Sequence, residues 1–389
     1  MHIVIFTHPK FMKALSIEKY TAMLVEHLSE RNMVEVWTAK SVFYRVPFTA
    51  KIRKWMGYID QFILFPVWVK FQIRKFPVNT LFVFVDQALG PWIKLVNHRP
   101  HVIHCHDFLA LRSSLNQFET NKTGFSGKIY QKLILNGVQS GKNFISVSKK
   151  TRNDLHNFLG FKPFISRVVY NGLNQDFKPG NTIKARKELG AKLKLDLGRG
   201  YILHVGGNQF YKNRSGALKI YLKWREIYSE NLPLLLVGPK PTTELNRIKK
   251  RSLFSEDIVL CTEISDSDLQ TAYHGASSLI FPSLEEGFGW PIAEAMASGC
   301  PVITTDKAPM NEVGGNSCRY FPHAYKSDEE WTSRCAHVLN EVLKLSSEKR
   351  RHLVENGLIN TKRFDTKNSL NSIEEIYQEV LINYLKNNN

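Results

Sequence analysis

Short runs of β-branched and aromatic residues recur along the chain, and stretches with apolar residues at helical spacing lie between them. The pattern begins with a strand over His2–Thr7, a helix over Ser16–Ser29 carried by Tyr20, Leu24 and Leu28, and a strand over Val34–Trp37. Further strands are predicted at Leu81–Val85, Pro100–Asp107, Phe144–Ser148, Tyr201–Gly207, Leu234–Gly238, Ile258–Leu260, Leu279–Phe281 and Pro301–Thr305. Strands alternating with helices form βαβ units, whose right-handed crossovers make neighbouring strands parallel. The chain is therefore α/β. Near the C-terminus Leu370, Ile373, Ile376, Tyr377, Val380 and Tyr384 form the apolar stripe of an amphipathic helix.

The stretch SLIFPSLEEGFGWPIAEAMASGCPVITTD, Ser278–Asp306, holds the densest chemistry. It reads as strand, loop, helix and strand, with Pro291 suited to the first helical position and Gly299 to the stop. Ligands of open parallel sheets sit beyond the carboxyl ends of the strands, where this loop lies. Gly287 and Gly289 flank Phe288 just before a helix N-terminus, so backbone amides and the helix dipole favour an anion there, a phosphate being the natural occupant. Glu286 and Glu294 would be repelled by that phosphate and are better used to accept hydrogen bonds from hydroxyls. A ligand with both phosphates and sugars fits this combination. The plain alternative is an ordinary loop with two solvated glutamates.

EGFGWPIAEAMASGCPVITTD resembles the signature of glycosyltransferase family 4, in which two glutamates are separated by seven residues, as Glu286 and Glu294 are. The resemblance implies a GT-B fold: two Rossmann-like domains facing each other across a cleft, with the last helix crossing back to the first domain. It implies that Glu286 contacts the donor sugar beside the Gly287–Phe288–Gly289 backbone, and that Glu294 holds the nucleotide ribose. In PHVIHCHD the resemblance places His106 near the reacting sugar, whereas His101 and His104 read as satisfied core histidines. Metal binding by His104 and His106 is the sharper but weaker reading, since zinc sites usually recruit ligands from more than one element. Asp86, ending the neighbouring strand, is a candidate to orient an acceptor hydroxyl. After the YILHVGG strand, Gly207 opens a second phosphate-cradle geometry, although no GxGxxG fingerprint is present. Lys212 resembles the family lysine that neutralises the donor diphosphate. Asn208 stands where an arginine is common, so either Arg214 compensates or the site uses one cation. The first loop, Lys13-Ala14-Leu15-Ser16, lacks the usual Gly-Gly pair, and Ser16 is given no catalytic part.

A length of 389 residues suggests two or three domains. The pattern breaks at Phe177-Lys178-Pro179-Gly180, giving an acceptor-side domain over 1–177, completed by about 370–389, and a donor-binding domain over 178–369. The net charge of +18 favours anionic partners. The segment Phe43–Phe76 sets Arg45, Lys51, Arg53, Lys54, Lys70, Arg74 and Lys75 among Trp55, Tyr58, Phe62, Phe65, Trp68 and Phe71, with Asp60 its single acid. It is too short and interrupted to span a bilayer and suits the surface of an anionic membrane. The alternative packs its aromatics into the core. No motif supports nucleic-acid binding. Asp266-Ser-Asp268 could pass for a metal-binding DxD, but a helix N-cap with acids in the first turn accounts for it.

Five scattered cysteines without a CxxC pair point to a reducing compartment, and MHIVIFTHPKF has no signal-peptide pattern. The expectation is a cytoplasmic enzyme, peripheral on the inner face of the plasma membrane. It would be a retaining hexosyltransferase moving sugar from a nucleotide-diphospho-sugar to a saccharide or lipid-linked saccharide in surface polysaccharide or glycolipid assembly. No cofactor or metal is required. The alternatives are another GT-B enzyme (a nucleotide-sugar epimerase or a phosphorylase) or a non-catalytic module binding nucleotide-sugar or membrane.

Overall fold

The computed structural model describes residues 1–12, 14–47, 49–173, 176–323 and 327–388; the side chains of residues 15, 50, 51 and 388 are not described. Lys13 in the first loop and the side chain of Lys51 thus lie outside the described atoms. The chain divides into two compact units, Met1–Asn174 with Thr366–Asn389, and Gln175–Asp365.

The first unit is built on β1 (His2–Phe6), β2 (Met33–Trp37), β3 (Leu81–Phe84), β4 (His101–Cys105), β5 (Asn143–Ser146) and β6 (Ile165–Val168). They form one parallel sheet in the order β2-β1-β3-β4-β5-β6. The direction of strand addition reverses between β1 and β3, which makes the gap beyond their carboxyl ends the binding position of this topology. Every residue of β3, β4 and β5 is buried, as strands covered by helices on both faces require.

The C-terminal helix Thr366–Asn388 belongs to this unit and covers its sheet with Leu370, Ile373, Ile376, Tyr377 and Val380. Polar ties fix its place. Asn32 Nδ2 donates to Glu374 Oε1 at 2.8 Å, and Tyr377 Oη meets His104 Nε2 at 2.7 Å.

The second unit contains β7 (Ile202–Val205), β8 (Leu234–Val237), β9 (Ile258–Cys261), β10 (Ser278–Phe281), β11 (Val302–Thr305) and β12 (Arg319–Phe321). Its sheet is again parallel, in the order β12-β11-β10-β7-β8-β9. Counted from its own first strand this is the doubly wound order 3-2-1-4-5-6 reversed, and the switch point falls between β7 and β10. Strand β6 and strand β12, each with an exposed position at a sheet edge, were absent from the sequence pattern.

Candidate active site

In the second unit, the two loops leaving the switch-point strands supply the site. Gly206 and Gly207 follow β7, and the backbone comes close to the exit of β8: a Cβ on Gly238 would lie 2.1 Å from the Gly206 carbonyl oxygen. The short 3-10 turn Phe210–Lys212 then delivers Lys212, and the helix Arg214–Tyr228 begins, capped by Asn213, whose side chain accepts from the Gly216 amide. After β10, the loop reaches Gly289 at φ +102°, a left-handed conformation open to glycine, and the helix Trp290–Ala297 starts from it. Pro291 lies inside its first turn, where the missing N–H costs nothing. Gly299 at φ +76° ends the turn beyond it.

Lys212 and Glu286 meet here. Lys212 Nζ donates to both Glu286 oxygens, at 2.8 and 2.9 Å, and Ser283 Oγ donates to Glu286 Oε1 at 2.9 Å. The Glu286 side chain is 6% exposed and that of Lys212 is 19% exposed, so the pair is largely withdrawn from water with the ammonium on its wetter side. Glu294, eight positions on, accepts from Tyr273 Oη at 2.8 Å. Burial, then the charge of Glu294, raises the Tyr273 pKa well above the phenol range, so the phenol stays a donor. Phe288 is buried against Phe364 and Trp290, which fixes the loop between the glycines.

Asn208 and Arg214 come together as well. Arg214 Nη1 donates to Asn208 Oδ1 at 2.6 Å and to the Pro239 carbonyl at 2.9 Å, while Asn208 Nδ2 donates to the Lys240 carbonyl at 2.8 Å. Arg214 is 5% exposed, and its Nε and Nη2 atoms have no partner among the described residues. Burial lowers its pKa, yet a guanidinium keeps its proton at any working pH. A buried cation with two idle donors is costly unless an anion completes it. His204 lies close enough for the charges of Arg214 and Lys212 to act on it; burial, mainly, lowers its pKa to about 4, and its Nδ1 is spent on the Ile280 carbonyl. Asp266 and Asp268 sit in the first turn of the helix Asp266–Gly275, where Ser265 and Asp268 form a capping box and Lys192 pairs with Asp268.

In the first unit, the switch point gathers Asp86, His106 and a residue the sequence reading missed, His8. Asp86 Oδ2 lies 2.9 Å from His8 Nε2, and its Oδ1 accepts from the Ala88 amide at 2.9 Å. Burial alone would raise the Asp86 pKa, but the hydrogen bond from His8, the nearness of the His8 and His106 rings and the Ala88 amide together hold it below the ordinary value. His106 Nε2 donates to the Val85 carbonyl at 2.8 Å, which leaves Nδ1 for any ligand, and its amide donates to Gln87 Oε1. His104 is enclosed between the hydroxyls of Tyr20 and Tyr377, at 2.6 and 2.7 Å, and burial lowers its pKa to about 3. His101 is similarly used, between the Arg99 carbonyl and the Lys142 amide.

The segment 43–76 divides between core and surface. Phe65, Val69 and Ile73 are buried, while Trp55, Ile63, Val67 and Phe71 are more than half exposed on the helices Ala50–Ile59 and Phe65–Gln72 and the π-helical turn between them. Asp60, in that turn, is buried and accepts from the amides of Val42, Phe43 and Tyr44 at 3.0–3.1 Å, so the segment's one acid is engaged inside the protein. Among the described residues, no helix is long and apolar enough to cross a membrane.

Two doubly wound units, the second with its cradle at the switch point, define a two-domain GT-B protein. Solved structures agree on the fold. The complex of Anabaena Alr3699/HepE with UDP-glucose superposes with a TM-score of 0.71 at 15% identity, over 97% of this chain and 100% of that one. Sucrose-phosphate synthase from Thermosynechococcus elongatus gives 0.69 at 16% identity, over 98% and 99%. The profile described as "Glycosyl transferases group 1" matches residues 199–341, and that described as "Glycosyltransferase Family 4" matches residues 17–177. The chain belongs to glycosyltransferase family 4. Among curated relatives, the O-antigen chain mannosyltransferase RfbU of Salmonella typhimurium is 25% identical over 250 residues, 61% of this chain. The O-antigen chain mannosyltransferase B of Escherichia coli is 27% identical over 191 residues, 48% of this chain. The matched stretch spans 65% of the length of the first relative and 49% of the second.

Proposed function

We propose that this protein is a retaining hexosyltransferase. It takes a sugar from a nucleotide-diphospho-sugar and attaches it to a saccharide or lipid-linked saccharide in surface polysaccharide or glycolipid assembly. One observation carries the reading: at the β7/β10 switch point two cations, Lys212 and a buried Arg214 with idle donors, stand near a helix N-terminus, as a diphosphate requires. In this reading Glu294 and Glu286 accept from hydroxyls of the ribose and the donor sugar. The anomeric carbon–oxygen bond to the β-phosphate breaks, the acceptor oxygen bonds that carbon on the same face, and the acceptor's proton leaves on the departing diphosphate. Stabilising that leaving group is the main catalytic device, for which Lys212, Arg214 and the Gly287–Gly289 amides are the groups of the second unit, while His106 of the first unit is assigned a hydrogen bond to a donor hydroxyl or to the acceptor. No metal is needed for this account. The curated relatives are named as mannosyltransferases, which makes mannose the first donor sugar to try.

The same proposal places the protein on an anionic membrane surface through 43–76. Exposed Trp55, Ile63, Val67 and Phe71 lie among Arg53, Lys54, Lys70, Arg74 and Lys75, and each basic residue near such a surface contributes about 1 kcal/mol. Co-sedimentation with phosphatidylglycerol vesicles at low salt should fall when Trp55 and Phe71 become alanine; unchanged binding would remove this attachment. The activity is tested by thermal-shift titration with nucleoside diphosphates and by mass spectrometry of products from GDP-mannose and UDP-glucose on lipid-linked and alkyl glycosides. Nucleotide release without a glycosylated product, or phosphate serving as the acceptor, would overturn the transferase reading.

A further inference from the structure

The His8–Asp86 pair is buried, titratable and set at the switch point of the first unit, and the reaction above has no use for it. His8 ends the loop step out of β1, and Asp86 follows β3, the two strands between which the first sheet reverses its order. His8 is 8% exposed, and its ring makes one hydrogen bond among the described residues, Nε2 to Asp86 Oδ2 at 2.9 Å. An ionised carboxylate can only accept, so Nε2 carries the proton, and in that Nε2–H tautomer Nδ1 is a bare acceptor. Asp86 is itself clamped by the Ala88 amide, with both oxygens in use inside the protein. The carboxylate thus fixes the tautomer of the histidine, and the histidine is the group left to meet a ligand. What a lone-pair nitrogen at a sheet switch point recognises is a hydroxyl donor. His106 contributes a second such nitrogen, Nδ1, since its Nε2 is held by the Val85 carbonyl, and it lies near enough to Asp86 to influence that carboxylate.

We propose that His8 is an acceptor-binding residue: its Nδ1 receives a hydroxyl of the incoming saccharide, and Asp86 acts through it as a positioning residue. The inference rests on the glycosyltransferase reading and adds to it the group that selects the acceptor. Asp86→Asn is the discriminating change. The amide oxygen can keep the Ala88 N–H, which turns the amide NH2 toward His8, and the ring must then accept at Nε2 and carry its proton on Nδ1. The hydroxyl acceptor becomes a donor with almost no change of shape.

The test uses the full chain with GDP-mannose and UDP-glucose as donors and octyl mannoside, glucoside, galactoside and N-acetylglucosaminide as acceptors. Failure of the wild type to transfer sugar to any of them while also failing to bind either nucleoside diphosphate would sink the glycosyltransferase reading, and the inference with it. Where the wild type turns over, His8→Ala and Asp86→Asn should each lower kcat/KM for the acceptor about tenfold, the loss of one hydrogen bond. The donor KM and the thermal shift given by GDP or UDP should stay within about twofold. The double variant should be no worse than His8→Ala, because Asp86 acts only through the ring. Ring 15N spectra of the wild type should show the Nε2–H tautomer of His8, and those of Asp86→Asn the Nδ1–H tautomer. Multiplying losses in the double variant, a donor KM that moves with the acceptor's, or a wild-type ring already protonated on Nδ1 would each overturn the proposal. Should His8→Ala fail to fold, Asp86→Asn and the spectra still decide.

Discussion

Replacing Lys212 by methionine removes the ammonium and keeps a chain of similar length over the Phe281 ring, whose centroid lies 5.5 Å from Nζ. Glu286 then loses two bonds of 2.8 and 2.9 Å and keeps one, from Ser283. Removing one partner of a buried ion pair costs about 3–5 kcal/mol. Here the lysine side chain is 19% exposed and the serine bond survives, which brings the expected loss down to about 2–3 kcal/mol. In a unit of this size each kcal/mol lowers the midpoint by about 2–4 °C, so the calorimetric transition of the second unit should fall by about 4–12 °C. Adding Glu286→Gln removes the stranded charge and should restore more than half of the loss. Affinity behaves differently. Both the single and the double variant lack the cation, and titration calorimetry should show GDP or UDP binding weakened about 10- to 100-fold, the worth of a charge-assisted hydrogen bond. A Lys212→Met protein that melts within about 1 °C of wild type would refute the pairing. Unchanged nucleotide binding would refute the site.

Three further outcomes follow from the same geometry. Arg214→Met should weaken GDP and UDP at least about tenfold while leaving uridine or guanosine binding alone; equal losses for nucleoside and nucleoside diphosphate would show that Arg214 only packs. Glu294→Ala should weaken the nucleoside diphosphates but not pyrophosphate, and Tyr273→Phe, which removes a 2.8 Å bond to Glu294, should do the same by a smaller factor; a parallel loss of pyrophosphate binding would contradict the ribose role. His104, with its pKa lowered by burial to about 3, binds a proton more readily unfolded than folded. Its contribution to stability is therefore complete above about pH 6.5 and is lost as pH falls from there toward 3, at about 1.4 kcal/mol per pH unit at most. Urea unfolding at pH 7 and pH 5 should show a shallower acid loss in His104→Gln than in wild type, and identical slopes would place the acid sensitivity elsewhere.

The βαβ pattern and the glutamate pair were legible in the chain because both are local: periodicity sets the elements, and Glu286 and Glu294 lie on either side of one helix start. Edge strands β6 and β12 were missed because each leaves a position exposed and lacks a fully apolar run. Partners distant in sequence were invisible. Nothing near Glu294 points to Tyr273, and nothing near Asp86 points to His8, 78 positions away. Ser283, three residues before Glu286, was within reach of a closer reading of the loop. The aromatic segment was legible only as a composition. Which rings turn inward depends on Phe65 meeting Trp92 and Phe6 in the core, and on Asp60 holding the preceding loop by its amides. The choice between Asn208 and Arg214 likewise needed the fold, which joins them through one guanidinium nitrogen and leaves two others idle.

A crystal structure of the protein with GDP or UDP, whichever raises the melting temperature more, is the most direct test. The account predicts the diphosphate against the amides of Gly287–Gly289, with Lys212 Nζ and the idle Arg214 nitrogens within hydrogen-bonding distance and Glu294 on the ribose hydroxyls. A diphosphate bound away from the β7/β10 switch point, with Arg214 Nε and Nη2 still unpartnered, would contradict it.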